Sequence, residues 1–253
     1  LTYSISGTEI SISSTGVLSF ISAPDYESKT SYSATVTVND GVNSVSQDIT
    51  VNITNVNDVA PVISSSATFS AAENQTAIGT VTATDEDGDV VTFSTSSSDL
   101  NITSAGVLTF ITAPDYETKT TYTATIIAND GIFDSTQVIT VLVTNVNDIA
   151  PIITSDATFT ASENQTAIGT VTATDAEGDA LTFAVSGTEL AISSAGVLTF
   201  ITAPDYEIKT SYTATITVND GVNDTTQLIT INIDDIGEFY GSAIDGYISG
   251  ANI

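Results

Sequence analysis

An all-β fold, built as tandem seven-stranded Greek-key sandwiches arranged as a rod, is what this sequence predicts, and three observations predict it. The pentapeptide Ala-Pro-Asp-Tyr-Glu stands at 23–27, 113–117 and 203–207, a fixed beat of 90 residues. Apolar and polar residues alternate one by one, the period of a half-buried strand. Turn signals rich in Asn, Asp and Gly separate these runs at short intervals.

The elements follow in order within each unit. Leu100 with Ile102, and Leu108 with Phe110, mark two short strands around Ala105-Gly106. A longer strand then places Tyr122, Ala124, Ile126 and Ala128 on one face, matched by Tyr32, Ala34, Val36 and Val38 and by Tyr212, Ala214, Ile216 and Val218. The turn Asn129-Asp130-Gly131 leads into a partner strand that carries Ile49, Val51 and Ile53 in the first unit and Ile229, Ile231 and Ile233 in the third. Ser and Thr fill the outward positions, where β-branched polar side chains suit a pleated surface. About seven such strands make an antiparallel Greek-key sandwich, and no stretch reads as a helix of useful length.

Leu1 aligns with Val91 and Leu181, so the first unit is expected to lack its first two strands. The expected divisions are 1–58, a partial unit; 59–148 and 149–238, complete units; and 239–253, the start of a different β module or a donated strand.

Composition narrows the function. The 253 residues include 31 acids against three lysines, with no arginine or histidine, giving a net charge of −28. Nucleic acid is excluded as a partner, because phosphate recognition needs a basic surface. Without Cys or His, zinc and other soft metals lose their usual ligands, and hard, oxygen-seeking cations remain. No apolar run reaches the roughly 18 residues of a membrane-spanning helix.

The acids gather where strands end. In the second unit they are Glu73, Asp85, Asp87, Asp115, Glu117, Asp130 and Asp148, with the amide of Asn147 beside them. With Asp-x-Glu, Asp-x-Asp, Asp-Gly and Asn-Asp ahead of Ala150-Pro151, the pattern resembles a cadherin repeat of the bacterial kind, over nearly the whole chain apart from the tail. That resemblance implies a cadherin/immunoglobulin-like sandwich with calcium held between successive repeats. At the first junction it implies Asp25, Glu27, Asn57 and Asp58 below and Asp85, Asp87 and Asp130 above. At the second it implies Glu73, Asp115, Glu117, Asn147 and Asp148 below and Asp175, Glu177 and Asp220 above, and at the third Glu163, Asp205 and Glu207. The sequence departs from the family where Asn55 and Asn145 replace Asp, where Val59 and Ile149 replace Asn, and where Asp175-Ala176-Glu177 replaces Asp-x-Asp.

Calcium takes six to eight oxygens at about 2.3–2.6 Å, and the junctional carboxylates and amides are donors of that type. The resulting expectation is a non-enzymatic, calcium-rigidified segment of a large bacterial surface adhesin, extracellular, contacting other repeats of the same protein. Homotypic or head-to-tail self-association and a cell-surface or glycan ligand are compatible with it. Two other readings stand beside it: a filament subunit completed by a neighbour's strand, and a carbohydrate-binding module. A glycosidase, which sets two unlike carboxylates across one sugar bond, is disfavoured because the acids recur identically in each unit.

Overall fold

The computed structural model describes residues 1–237, all strand, turn and loop. The segment 239–253, expected to open another β module or donate a strand, lies outside the described residues. The chain divides into two compact units, Leu1–Thr144 and Asn145–Ile253.

The first unit opens with β1 (Thr2–Ile5), β2 (Ile10–Ile12), β3 (Leu18–Phe20), β4 (Ser31–Asn39) and β5 (Ser44–Asn52). These form the sheet β1-β4-β5 and the ribbon β2-β3. Residues 53–61 then lead to β6 (Val62–Ile63), β7 (Thr68–Ala72), β8 (Ala77–Thr80), β9 (Ala83–Thr84) and β10 (Thr92–Thr95). The same sandwich continues through β11 (Leu100–Ile102), β12 (Val107–Phe110), β13 (Thr121–Asn129) and β14 (Asp134–Thr144). One of its sheets runs β10-β13-β14-β7, the other β11-β12-β8, and β6 pairs with β9.

The second unit repeats this with β15 (Ile152–Ile153), β16 (Thr158–Ser162), β17 (Ala167–Thr170), β18 (Ala173–Thr174) and β19 (Thr182–Val185). It finishes with β20 (Leu190–Ile192), β21 (Val197–Phe200), β22 (Ser211–Asn219) and β23 (Asp224–Asp234). The sheets are β16-β23-β22-β19 and β17-β21-β20, with β15 on β18.

Alternation sets the layers. In β13, Ala124, Ile126 and Ala128 point inward and are buried, while Thr123 and Thr125 are exposed and Ile127 is half-buried. Ala124 and Ile126 share a core cluster with Ile139, Val141 and Val143 of β14 and, from the facing sheet, Leu100, Leu108 and Phe110. Ile216, Ile229, Ile231 and Leu198 close the equivalent core of the second unit. In the opening sandwich only Ile10 and Ala34 are buried hydrophobics, and its Val36, Val38, Ile49 and Val51 are half-exposed. Among the described residues, the strands that cover those positions elsewhere have no counterpart there.

The sandwiches are not wholly antiparallel. β7 runs parallel to β14 and β16 parallel to β23, through pairs such as Val141 with Phe69 and Ile231 with Phe159. The first strand of each complete sandwich is divided, β6 lying on β9 and β7 on β14, and β15 on β18 and β16 on β23. Having changed partners, it runs alongside the last strand in the same direction, and sequence alternation carries no information on that direction. The two-residue strands β6 and β9 also raise the count above seven.

The turns at Gly106 and Gly196 depend on glycine outright, each having a positive φ and a would-be Cβ 2.2 Å from a carbonyl oxygen. Gly196 has φ +78°, and a Cβ there would lie 2.2 Å from the Val171 carbonyl oxygen, in a turn where the Val171 N–H donates to the Gly196 carbonyl at 2.9 Å. Gly187 has φ +87° with nothing within 4 Å of its would-be Cβ. Urea unfolding should therefore show Gly187→Ala costing about 1 kcal/mol, the left-handed penalty alone, and Gly196→Ala at least about 3 kcal/mol, strain plus clash. Equal losses would show that the turn accommodates the methyl group.

Candidate metal centre

Carboxylates removed from water are costly unless something compensates them. The buried charged residues among those described are Glu73, Asp130, Glu163 and Asp220, at 3%, 8%, 2% and 6% exposure, and all four are residues implied by the junction motifs.

In the first unit, four segments bring the first set together: the β3–β4 loop with Glu27, the linker with Asn57 and Asp58, the β9–β10 loop with Asp85 and Asp87, and the β13–β14 turn with Asp130. Carboxylate oxygens of Glu27, Asp58 and Asp87 lie within 4.8 Å of one another. The linker is fastened to the β9–β10 loop by its backbone. Asp58 and Val59 donate their N–H groups to Asp87 Oδ2 at 3.1 and 2.9 Å, and Asn55 Nδ2 donates to the Asp87 carbonyl at 2.7 Å. Asp130 Oδ1 accepts the N–H groups of Ile132 and Phe133, both at 2.7 Å.

Asp85, Asp87 and Asp130 each use one oxygen for the fold and leave the other without a hydrogen bond. Eleven buried side-chain oxygens among the described residues have no hydrogen-bond partner, and seven belong to the implied ligands. Five are at this junction: Glu27 Oε1, Asn57 Oδ1, Asp85 Oδ2, Asp87 Oδ1 and Asp130 Oδ2. A buried oxygen without a donor is expensive, and a cluster of carboxylate and amide oxygens is the donor chemistry of a hard divalent cation. The residues therefore fit calcium.

Electrostatics agree. Burial pushes the Glu27 carboxyl up from the usual range, and the negative charges of Asp87 and Asp25 push it further, against the pull of its own backbone N–H. Burial would also raise Asp130, but the N–H groups of Phe133 and Ile132 and the Asn57 amide outweigh it and hold the group below its ordinary value.

Asp25 stands differently from the trio. Its Oδ1 accepts the N–H groups of Glu27 and Ser28 at 3.0 and 3.1 Å, and its Oδ2 accepts the Ser28 hydroxyl at 2.9 Å, so both oxygens brace its own turn. These bonds to Ser28 hold the Asp25 pKa down. Asp115 likewise braces its own turn, accepting the Thr118 N–H and the Thr118 hydroxyl, each at 3.0 Å.

Of the second set, Glu73, Asp115 and Glu117 belong to the first unit, where the buried Glu73 Oε2 accepts the Tyr116 N–H at 2.7 Å. Asn147, Asp148, Asp175, Glu177 and Asp220 belong to the second. There Glu177 replaces the shorter Asp87 and still binds the linker, accepting the N–H groups of Asp148 and Ile149 at 3.1 Å each. Asp175 Oδ1 accepts from Glu177 and Asp179, leaving Oδ2 buried and unpaired, as is Asp220 Oδ2.

The third set gathers Glu163 and Glu207 with Asp235, again within 4.8 Å, while Asp205 stays outside the trio. Glu207 is pulled down by its own backbone N–H, but burial and the charges of Glu163, Asp235 and Asp205 leave it raised. Sequence reading missed three participants: Asp235, Asp89 and Asp179, the last two grouped with Asp85/Asp87 and Asp175/Glu177. The Asp-x-Asp-x-Asp run at 85–89 was the available signal, and Asp235 stands where Asn55 and Asn145 stand in the preceding repeats.

Comparison with known proteins bears on the fold. Residues 147–232 match the family model described as a bacterial Ig domain. A chitinase A of Pseudoalteromonas piscicida is 32% identical over 177 residues, 68% of this chain, and the chain spans 22% of that protein's length. Among solved structures, a protocadherin gammaB7 EC3-6 cis-dimer matches with TM-score 0.75 at 23% identity, covering 92% of this chain and 68% of that one. Mouse cadherin-23 EC22-24 matches with TM-score 0.66 at 20% identity, covering 93% and 86%. The chain is built of tandem cadherin-like β-sandwiches.

Glu163 supplies a direct check on what the buried acids do for the fold. Its Oε2 accepts the Tyr206 N–H and its Oε1 the Ile236 N–H, both at 3.0 Å. In chelator, Glu163→Ala should destabilise by about 2 kcal/mol or more, the worth of hydrogen bonds to a charged acceptor, and Glu163→Gln by less. A neutral or stabilising Glu163→Ala would mean that repulsion from Glu207 and Asp235 outweighs those bonds.

Proposed function

We propose that this chain is a non-enzymatic spacer of cadherin-like sandwiches whose junctions bind calcium and stiffen when they do, as part of a large extracellular bacterial adhesin or surface stalk. The observation that carries the reading is the set of five unpaired buried oxygens at the first junction, on Glu27, Asn57, Asp85, Asp87 and Asp130. A bound cation would give them a common partner and cancel their mutual repulsion, which amounts to roughly 1 kcal/mol per carboxylate pair at about 4 Å even in full water screening. Because these residues sit on both sides of residues 53–61, the same ion would restrain that linker. Calcium is favoured over magnesium, whose strict octahedral shell and reluctance to lose water suit an irregular all-protein site poorly.

The match to a chitinase A favours one second reading, in which such repeats serve as a spacer within a secreted enzyme of that kind. Cell-surface attachment and enzyme attachment differ in what lies beyond the repeats, and both use the same calcium joint.

Calorimetric titration with calcium should show saturable binding, abolished at the first junction by combining Glu27→Gln with Asp87→Asn. Calcium at about 100 times Kd should add about 2.7 kcal/mol per independent site to the unfolding free energy, and small-angle scattering should show a longer, narrower distribution of particle lengths than in chelator. Stability and scattering that are identical in calcium and in chelator would remove the reading.

A further inference from the structure

The chain has three cations among 31 acids, and all three occupy one kind of place. Lys29, Lys119 and Lys209 each close the loop that follows Asp-Tyr-Glu, donating the backbone N–H to the carbonyl of Asp25, Asp115 or Asp205 at 3.0, 2.9 and 3.0 Å. Each side chain then reaches back 20 residues to an acid on the preceding hairpin, Glu9, Asp99 or Glu189, with Nζ–O distances of 2.6, 2.7 and 2.8 Å. On the way Nζ lies 4.4, 4.1 and 3.9 Å from the ring centroids of Tyr32, Tyr122 and Tyr212, the first residues beyond the loop to point inward. Those rings are themselves fixed edge-on to Phe20, Phe110 and Phe200.

An open cleft of about 330 Å³ lies beside the loop in the second unit, lined by Glu189, Ile201, Pro204, Asp205, Ile208 and Tyr212, and one of about 270 Å³ occupies the same place beside Asp115. A loop with few packed neighbours opens easily. Half-exposed ion pairs of this kind do little for global stability, so their recurrence calls for a local role.

We infer that each lysine is a positioning residue that staples the Asp-Tyr-Glu loop to the neighbouring hairpin, holding Glu27, Glu117 and Glu207 in place before any cation arrives. The inference rests on the calcium reading for its purpose, but the staple itself acts in the metal-free protein. In the complete sandwiches the loop has a second tether, since Asn74 and Asn164 donate N–H groups to the Pro114 and Pro204 carbonyls and Glu73 and Glu163 accept from Tyr116 and Tyr206. The loop at Lys29 has no described counterpart of that tether and depends most on its staple.

The test is amide hydrogen exchange on the whole chain in chelator, comparing wild type with Lys29→Met, which keeps the alkyl stem on Tyr32 and removes the charge. The N–H groups of Glu27, Ser28 and Lys29, all bonded to Asp25, should exchange about tenfold faster, with Ala34 in β4 unchanged. Lys29→Arg should restore slow exchange, Glu9→Gln should reproduce the defect, and Lys119→Met should give a smaller effect at its own loop. Unchanged loop exchange, or acceleration shared equally by Ala34, overturns the staple whether or not calcium binds.

Calcium titration of the same variants tests the purpose separately. Removing a positive charge near an acidic site would by itself tighten calcium binding, whereas loss of positioning weakens it. A Kd for Lys29→Met raised about threefold to tenfold supports positioning, and an unchanged or lowered Kd overturns it. A wild type that binds no calcium removes the proposed function and leaves the exchange result to decide the staple.

Discussion

Like charge brought together at strand ends is the constraint on which the rest of this structure depends. With 31 acids and three lysines the chain cannot neutralise itself, so each carboxylate must reach water, a backbone N–H or a cation. The fold uses the second option wherever it can. Asp40, Asp130 and Asp220 each accept two amides of their own turn, Asp87 and Glu177 accept two linker amides, and Glu163 accepts one from a loop and one from beyond β23. Turn formation and charge placement are one event here, because the N–H groups freed by a turn supply the partial positive charge that the acid needs.

Amides satisfy only half of the requirement. A carboxylate has two oxygens, and at the first junction the second oxygen of Asp85, Asp87 and Asp130 is buried without a partner. In each of them one oxygen is anchored by backbone N–H groups and fixes the direction of the other. Such anchoring lowers the ordering cost of binding, as any pre-organised site does.

Much of the fold was legible because its signals are local. The alternation of Tyr122, Ala124, Ile126 and Ala128 predicts the inward face of β13, and three of those four are buried. The parallel pairing of β7 with β14 was not legible, since it depends on a strand changing sheets and the alternation reads the same in either direction. At the site, the residue types were legible and the division of labour was not. Asp25 and Glu27 look equivalent in the pentapeptide, yet Asp25 is bonded to its own turn through Ser28 while Glu27 faces Asp58 and Asp87. That difference arises from a serine three residues on and from a linker some 30 residues away.

The third acidic set shows how substitutions within the repeat compensate. Ser28 and Thr118 give their hydroxyls to Asp25 and Asp115, but the equivalent residue is Ile208, which has none to give. Asp205 is thereby less firmly committed to its turn. Meanwhile Asp235 replaces the asparagines at 55 and 145, adding a carboxylate beside Glu163 and Glu207. The set thus gains a charge at the linker where it loses an anchor in the loop, and Glu207 is raised by the charges of Glu163, Asp235 and Asp205 together. Sequence identity of the pentapeptide across three repeats therefore conceals three different electrostatic settings, each determined by the residues it folds against.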